Sequence, residues 1–249
     1  MSDTTTREPK TAIVIGVGAL QGLGAQLCLR FAREGHHVFA AGRTQSSLDQ
    51  VGASAAAGVG HVTPVVADAT SEADVQGLFE RAMTQGAGAL DLAVYNAGNN
   101  TPGAIREMEA DYFERSWRVV CFGGFLFGRE AARRMLPGGG TLLFTGASAS
   151  LRGRPDFGAF SAAKGALRNL AQAIAKEHGH EGLHVGHVVI DGGIDGERLR
   201  SRRPEAFAGP AAEAFISLEG LTDAYWYLYR QPKRAWTFEL DLRTGDERW

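Results

Sequence analysis

Short continuous apolar runs alternate along this chain with longer stretches in which apolar residues recur every three or four positions. The runs Thr11–Ile15, His37–Ala41, Val62–Val66, Leu90–Tyr95, Thr141–Thr145 and Val185–Ile190 predict strands, and Trp236–Leu240 a last one. Helical spacing predicts helices over Gln21–Glu34, Ser46–Ala57, Ser71–Gln85, Ala110–Met135, Asp156–His178 and Thr222–Arg230. Gly35 is placed to stop the first helix as a left-handed cap, and Ser71 to cap the third with Asp74 in its first turn. Pro137 and the three glycines after it end the fourth. Strand–helix alternation of this kind implies an α/β fold: a doubly wound parallel sheet of about seven strands with helices on both faces. Neither an internal repeat nor a separating linker interrupts it, so residues 1–249 read as a single domain with a flexible start at 1–9. In such sheets ligands bind at the carboxyl ends of the strands, and the chemistry is sought just after each run.

Composition narrows the classes. Hydrophobic residues make up 44% and charged ones 22%, the balance of a globular chain and not a disordered one. The 33 glycines follow no three-residue period, which excludes a collagen-like fibre. A net charge of -2 offers no basic field for nucleic acid or an anionic membrane. Two cysteines, Cys28 and Cys121, make no disulfide framework, and the N-terminal residues have no apolar signal core. No apolar run reaches the roughly 18 residues of a membrane helix. The expectation is a cytoplasmic protein acting on a small molecule, without nucleic-acid or membrane partners.

The first strand runs directly into Gly16-Val-Gly18-Ala-Leu-Gln-Gly22-Leu23-Gly24, which opens a helix. A tight strand-to-helix turn needs unusual dihedrals, and a phosphate reaches helix amides only where no Cβ intervenes. Between a first strand and a first helix, this turn predicts a Rossmann-like dinucleotide site. An NAD site usually carries an acid at the end of the second strand; here Ala40-Ala41-Gly42-Arg43-Thr44 has none. Arg43 is placed to pair with a 2′-phosphate and Thr44 to add a hydroxyl donor, which favours NADP(H). Six of the seven histidines, at 36, 37, 178, 180, 184 and 187, form no metal-ligand spacing, so no metal is expected.

These features, with Asn96-Ala97-Gly98 after the fourth strand and Lys164 four residues beyond an aromatic, resemble the short-chain dehydrogenase/reductase family. The resemblance covers roughly Lys10 to Leu242. Gly18, Gly22 and Gly24 match the family's glycine turn; if Gly16 is aligned with its first glycine, this loop is two residues longer. The resemblance implies that Asp68, followed by Ala69, contacts adenine, and that Asn96, Ala97 and Gly98 lie beside the cofactor ribose. It also implies that Lys164 holds the nicotinamide ribose, that the fourth and fifth helices build a homodimer or homotetramer, and that residues 192–210 cover the substrate as a lid.

The match breaks at the expected chemistry. Phe160 stands where the family has its tyrosine, Ala147 where it has its serine and Val120 where it has its asparagine. Of the catalytic four, Lys164 alone remains. Ser148 is the best-placed substitute to donate to a substrate oxygen, while Ser150, Asp191, Asp195 and Tyr95 are the other candidate polar groups. Phenylalanine carries no proton to transfer, so the redox reading requires a reorganised proton relay. The alternatives are a non-redox enzyme on the same scaffold, such as an isomerase, dehydratase or cyclase, and a cofactor-binding protein without turnover.

Overall fold

The computed structural model describes residues 9–55, 59–98, 100, 102–136, 138–207 and 214–246. The flexible start expected over 1–9 therefore lies, Pro9 apart, outside the described residues, as do Ala57, Pro137 and 208–210. The apolar runs form β1 (Lys10–Ile15), β2 (His36–Gly42), β3 (His61–Val66), β4 (Ala89–Tyr95), β5 (Gly140–Thr145), β6 (Leu183–Asp191) and β7 (Glu239–Arg243). They pair in the order β3-β2-β1-β4-β5-β6-β7, every adjacent pair parallel. The winding direction reverses between β1 and β4, which places a crevice at their carboxyl ends.

Side-chain alternation along the strands divides the core into two layers. Ile13 and Ile15 of β1 face one layer, shared with Leu78 and Phe79 of α3 (Glu72–Gln85), Phe127 of α5 (Gly123–Met135) and Leu167 of α6 (Gly158–His178). Ala12 and Val14 face the other, shared with Leu27 of α1 (Leu23–Arg33), Leu48 of α2 (Gln45–Ser54) and Tyr225 of α8 (Leu218–Tyr229). The sheet is thus buried on both faces, the reason its strands read as continuous apolar runs. Gly35 closes α1 at φ +100°, and the Ser71 side chain accepts the Asp74 N–H at the start of α3, both as expected.

Four expectations are corrected. The helix predicted over 110–135 is α4 (Ala110–Trp117), one π-turn at Arg118–Phe122, then α5. In that turn the Gly123 N–H reaches back to Arg118 O, and the Tyr95 hydroxyl donates to the freed Val119 carbonyl. A Cβ at Gly123 would lie 2.3 Å from that hydroxyl, so only glycine fits beside it. The helix predicted from Asp156 begins at Gly158, because Asp156 sits at φ +64° with its carbonyl accepting the Gly103 N–H at 2.7 Å. The helix predicted from Thr222 begins four residues earlier, where Ser217 caps it by accepting the Gly220 N–H. The last strand is shifted to Glu239–Arg243: the Trp236 ring stacks on His184 at 4.9 Å and the Thr237 N–H is held by Gln231, so pairing starts at Glu239 opposite His187. The stretch after β6 carries a short helix, α7 (Glu197–Arg202), and a 3-10 turn at Pro204–Phe207.

Candidate active site

The ends of β2 and β4 clamp the glycine turn. The N–H groups of Gly16 and Val17 both donate to Ala41 O of β2, at 3.0 and 2.9 Å. Asn96, directly after β4, donates its side-chain amide to Gly16 O at 3.0 Å. Gly16 has φ +90°, and a Cβ there would lie 2.4 Å from Ala97 N, so substitution meets both strain and backbone. Gly24 packs equally closely on Gly16 O. Gly22 caps α1 without a side-chain hydrogen bond, which leaves the first-turn amides of Leu23, Gly24 and Ala25 for another acceptor. Gly18 opens to free space. A cradle of unshielded amides at a helix start, with no side chain over it, fits a pyrophosphate.

Arg43 and Thr44 are exposed beyond β2, and Thr44 stands at the N-cap of α2 with its hydroxyl unused by the helix. Asp68, beyond β3, accepts from the Thr70 N–H and hydroxyl, each at 2.8 Å, and those bonds with the nearby Arg43 guanidinium hold its carboxyl below the usual range. Arg43, Asp68 and the glycine turn thus meet along one rim. Ala69 continues from Asp68, its carbonyl against Gly123.

Lys164 enters from α6, on the other side of the crevice. It is 4% exposed, and its Nζ donates to Thr145 O at the end of β5 at 2.6 Å. Among the described residues no carboxylate pairs with it, and burial lowers its pKa to about 8. Nζ lies 5.8 Å from the centroid of the Phe160 ring, one turn earlier, and beside Gly98. Ser148 lies in the 3-10 turn after β5, nearly buried, its hydroxyl without a hydrogen-bond partner among the described residues. Lys164, Phe160, Gly98 and the turn bearing Ser148 are therefore gathered at the carboxyl ends of β4 and β5.

The remaining candidate acids are engaged elsewhere. Asp191 is buried between Arg152 and Arg243, at 3.2 and 3.3 Å, and Asp195 accepts from both the Nε and an Nη of the Arg200 guanidinium. Tyr95 is fully buried, and burial raises its phenol well above the usual range. Ser150 turns inward, 3.3 Å from His187 Nε2, while His187 Nδ1 meets Glu239 at 3.0 Å; burial lowers the histidine to about 4, so it is neutral. That pair fastens the turn from below. The stretch after β6 docks on the glycine turn through Glu197 N–H to Gln21 O at 2.7 Å. Two polar groups escaped the sequence reading: Thr145, which receives Lys164, and Tyr225, whose hydroxyl lies 2.6 Å from that of Thr145. Among the described residues there is no cluster of metal-ligating groups and no helix long and apolar enough to cross a membrane.

Comparison with known proteins agrees with this geometry. The short chain dehydrogenase family matches residues 10–206. The uncharacterized oxidoreductase YuxG of Bacillus subtilis is 32% identical over 194 residues, which are 76% of this chain and 28% of that longer protein. Glucose 1-dehydrogenase of Gluconobacter oxydans is 32% identical over 179 residues, covering 71% of this chain and 67% of the relative. Among solved structures, a short-chain dehydrogenase from Rhodopseudomonas palustris has a TM-score of 0.78 at 35% identity, covering 95% of this chain and 99% of its own. With the sheet order in agreement, this chain belongs to the short-chain dehydrogenase/reductase family.

Proposed function

We propose that the chain is an NADP(H)-dependent oxidoreductase acting on a small carbonyl or hydroxyl substrate, with Lys164 carrying the proton that the family assigns to a phenol. The observation that carries this reading is the buried Lys164 ammonium, without a carboxylate partner among the described residues and with its pKa lowered to about 8, beside a phenylalanine at the phenol's place. Members of the family bind nicotinamide cofactors, and the oxidoreductase names of the relatives favour redox chemistry over an isomerase, dehydratase or inert binder.

The residues fit such a cofactor. Gly16, Gly18, Gly22, Leu23 and Gly24 receive the pyrophosphate, Arg43 and Thr44 the 2′-phosphate, and Asp68 and Ala69 the adenine. Asn96, Ala97, Gly98 and Lys164 line the ribose. When bound, the nicotinamide supplies or accepts a hydride. Ser148 then donates a hydrogen bond to the substrate oxygen, and Lys164 offers a proton to the charge that develops there. A donor with a pKa near the working pH is suited to that step. Phe160 fills the ring's volume and keeps water from the ammonium, and the stretch from 192 onward closes over the substrate as a lid.

NADPH should bind and NADH should bind more weakly. Arg43→Ala should weaken NADPH roughly 10- to 100-fold, as expected for a charge-assisted phosphate contact, while leaving NADH within about twofold. Fluorescence titration of both nucleotides decides it; equal losses for the two would remove the 2′-phosphate role.

The same reading includes a homodimer or homotetramer. Phe113, Trp117 and Phe125 are exposed on α4 and α5, and a groove of 430 Å³ lined by Phe125, Ala132, Leu170 and Ile174 runs between α5 and α6. Contiguous apolar surface of this kind marks an interaction face. Sedimentation should give a dimer or larger species, and Phe125→Asp should shift it toward monomer; a wild-type monomer at all concentrations would end this assignment.

A further inference from the structure

Behind the cofactor crevice a chain of hydrogen bonds, buried at its Tyr225 end, crosses the sheet. On the α1 and α8 side, Tyr225 is fully buried, with its hydroxyl 2.6 Å from Thr145 Oγ1. Thr145 Oγ1 donates to Asn96 Oδ1 at 3.0 Å, and the Asn96 amide donates to Gly16 O at 3.0 Å. Thr145 has a single hydroxyl proton, which the Asn96 oxygen takes. Tyr225 must therefore be the donor in its own bond, and burial keeps its phenol protonated by raising its pKa. Every proton in the chain then points the same way, from α8 toward the glycine turn. Turning the Asn96 amide over would set N–H against O–H at Thr145 and oxygen against oxygen at Gly16. The Gly16 carbonyl, which can only accept, and the Tyr225 proton thus favour the same orientation of Asn96. The backbone carbonyl of Thr145 meanwhile receives Lys164 from the opposite layer. Thr145 is the point at which the two layers of the molecule touch the same crevice.

We infer that Tyr225, a residue of α8 outside the crevice, is a positioning residue for the cofactor site, acting through Thr145 and Asn96 on the Gly16 carbonyl and on the acceptor of Lys164. Without its proton, Thr145 Oγ1 loses a buried donor and can rotate away from Asn96. The Asn96 amide and the Gly16 peptide then sample other orientations, and the bound state must select one of them. The inference rests on the nicotinamide-cofactor reading above, and it concerns ground-state geometry, so binding reports it without any substrate.

The test is NADPH titration of wild type, Tyr225→Phe, Thr145→Val, the double variant and Thr145→Ser, each alongside a thermal melt. Tyr225→Phe should weaken NADPH about three- to tenfold, the range of one buried hydrogen bond. Thr145→Val should do at least as much, the double variant should be no worse than Thr145→Val alone, and Thr145→Ser should retain wild-type affinity. A Tyr225→Phe protein that melts lower yet binds NADPH as wild type does has lost a structural bond only, and that result overturns the inference. Additive losses in the double variant overturn the route through Thr145. Should Tyr225→Phe not fold, Thr145→Val against Thr145→Ser carries the same decision: equal affinity of both with wild type is fatal. If wild type itself binds neither NADPH nor NADH, the cofactor reading fails first and takes this inference with it.

Discussion

Phe160→Tyr should reduce small carbonyl compounds with NADPH up to about 10²-fold faster than the wild-type protein, the low end of general acid catalysis, because the phenol is added to a site where Lys164 already carries a proton. The ring already stands one helical turn before Lys164, with Nζ 5.8 Å from its centroid. A hydroxyl on that ring brings a phenol beside the ammonium, whose charge favours the phenolate and lowers the phenol's pKa. With Lys164 as the proposed proton carrier of the wild-type protein, its reduction rate should fall as pH rises through about 8, where the ammonium gives up its proton. With the phenol restored, that descent should move, because a second group now delivers the proton. The measurement is NADPH absorbance over a panel of aldehydes and ketones from pH 6 to 10. A variant that binds NADPH normally and gains nothing on any carbonyl would mean that the substrate oxygen does not lie at residue 160.

The order of elements was legible because the central strands are buried on both faces and the helices packed on them on one, and burial writes itself into the spacing of apolar residues. The glycine turn was legible for a related reason: Gly16 at φ +90° against Ala97 tolerates no side chain, so backbone geometry leaves its mark in residue type. Polar partnerships leave no such mark. Asp191 reads as a free carboxyl after a strand until Arg152 and Arg243 arrive from distant elements. Tyr225 reads as one more apolar position of an amphipathic helix, and its partner is 80 residues away in sequence. The π-turn at Arg118–Phe122 was hidden because one extra residue barely disturbs a helical period. It is fixed instead by the hydroxyl of Tyr95, in another element. Side-chain hydrogen bonds between elements depend on the finished packing, which is why the candidate site was seen as a set of strand ends and not as a connected network.

Lys164→Met should make the cofactor-free protein more stable at pH 7 and less stable near pH 10.5, while abolishing tight NADPH binding. The wild-type ammonium is buried with one carbonyl acceptor, and burial lowers its pKa from 10.5 to about 8. Below pH 8 the side chain is charged in both folded and unfolded chains, and the folded state bears the full penalty of about 3 kcal/mol. Between about 8 and 10.5 the folded chain sheds its proton while the unfolded chain keeps it, so wild-type stability rises with pH. Above 10.5 both are neutral and the penalty is gone. Methionine removes the charge at every pH but leaves Thr145 O without its donor, a loss of about 1–3 kcal/mol. The balance at pH 7 favours the variant by up to about 2 kcal/mol, at most a few degrees in Tm for a chain of this size. Once the wild-type lysine is neutral only the lost hydrogen bond remains, and the sign reverses. Thermal melts of the two proteins at pH 7 and pH 10.5 measure the crossing directly. Parallel stability curves would show that Lys164 is not a buried charge in the free protein. A crossing joined to loss of NADPH binding would mean that the fold retains a destabilising lysine because the crevice needs it, the expected relation between a functional group and the core around it.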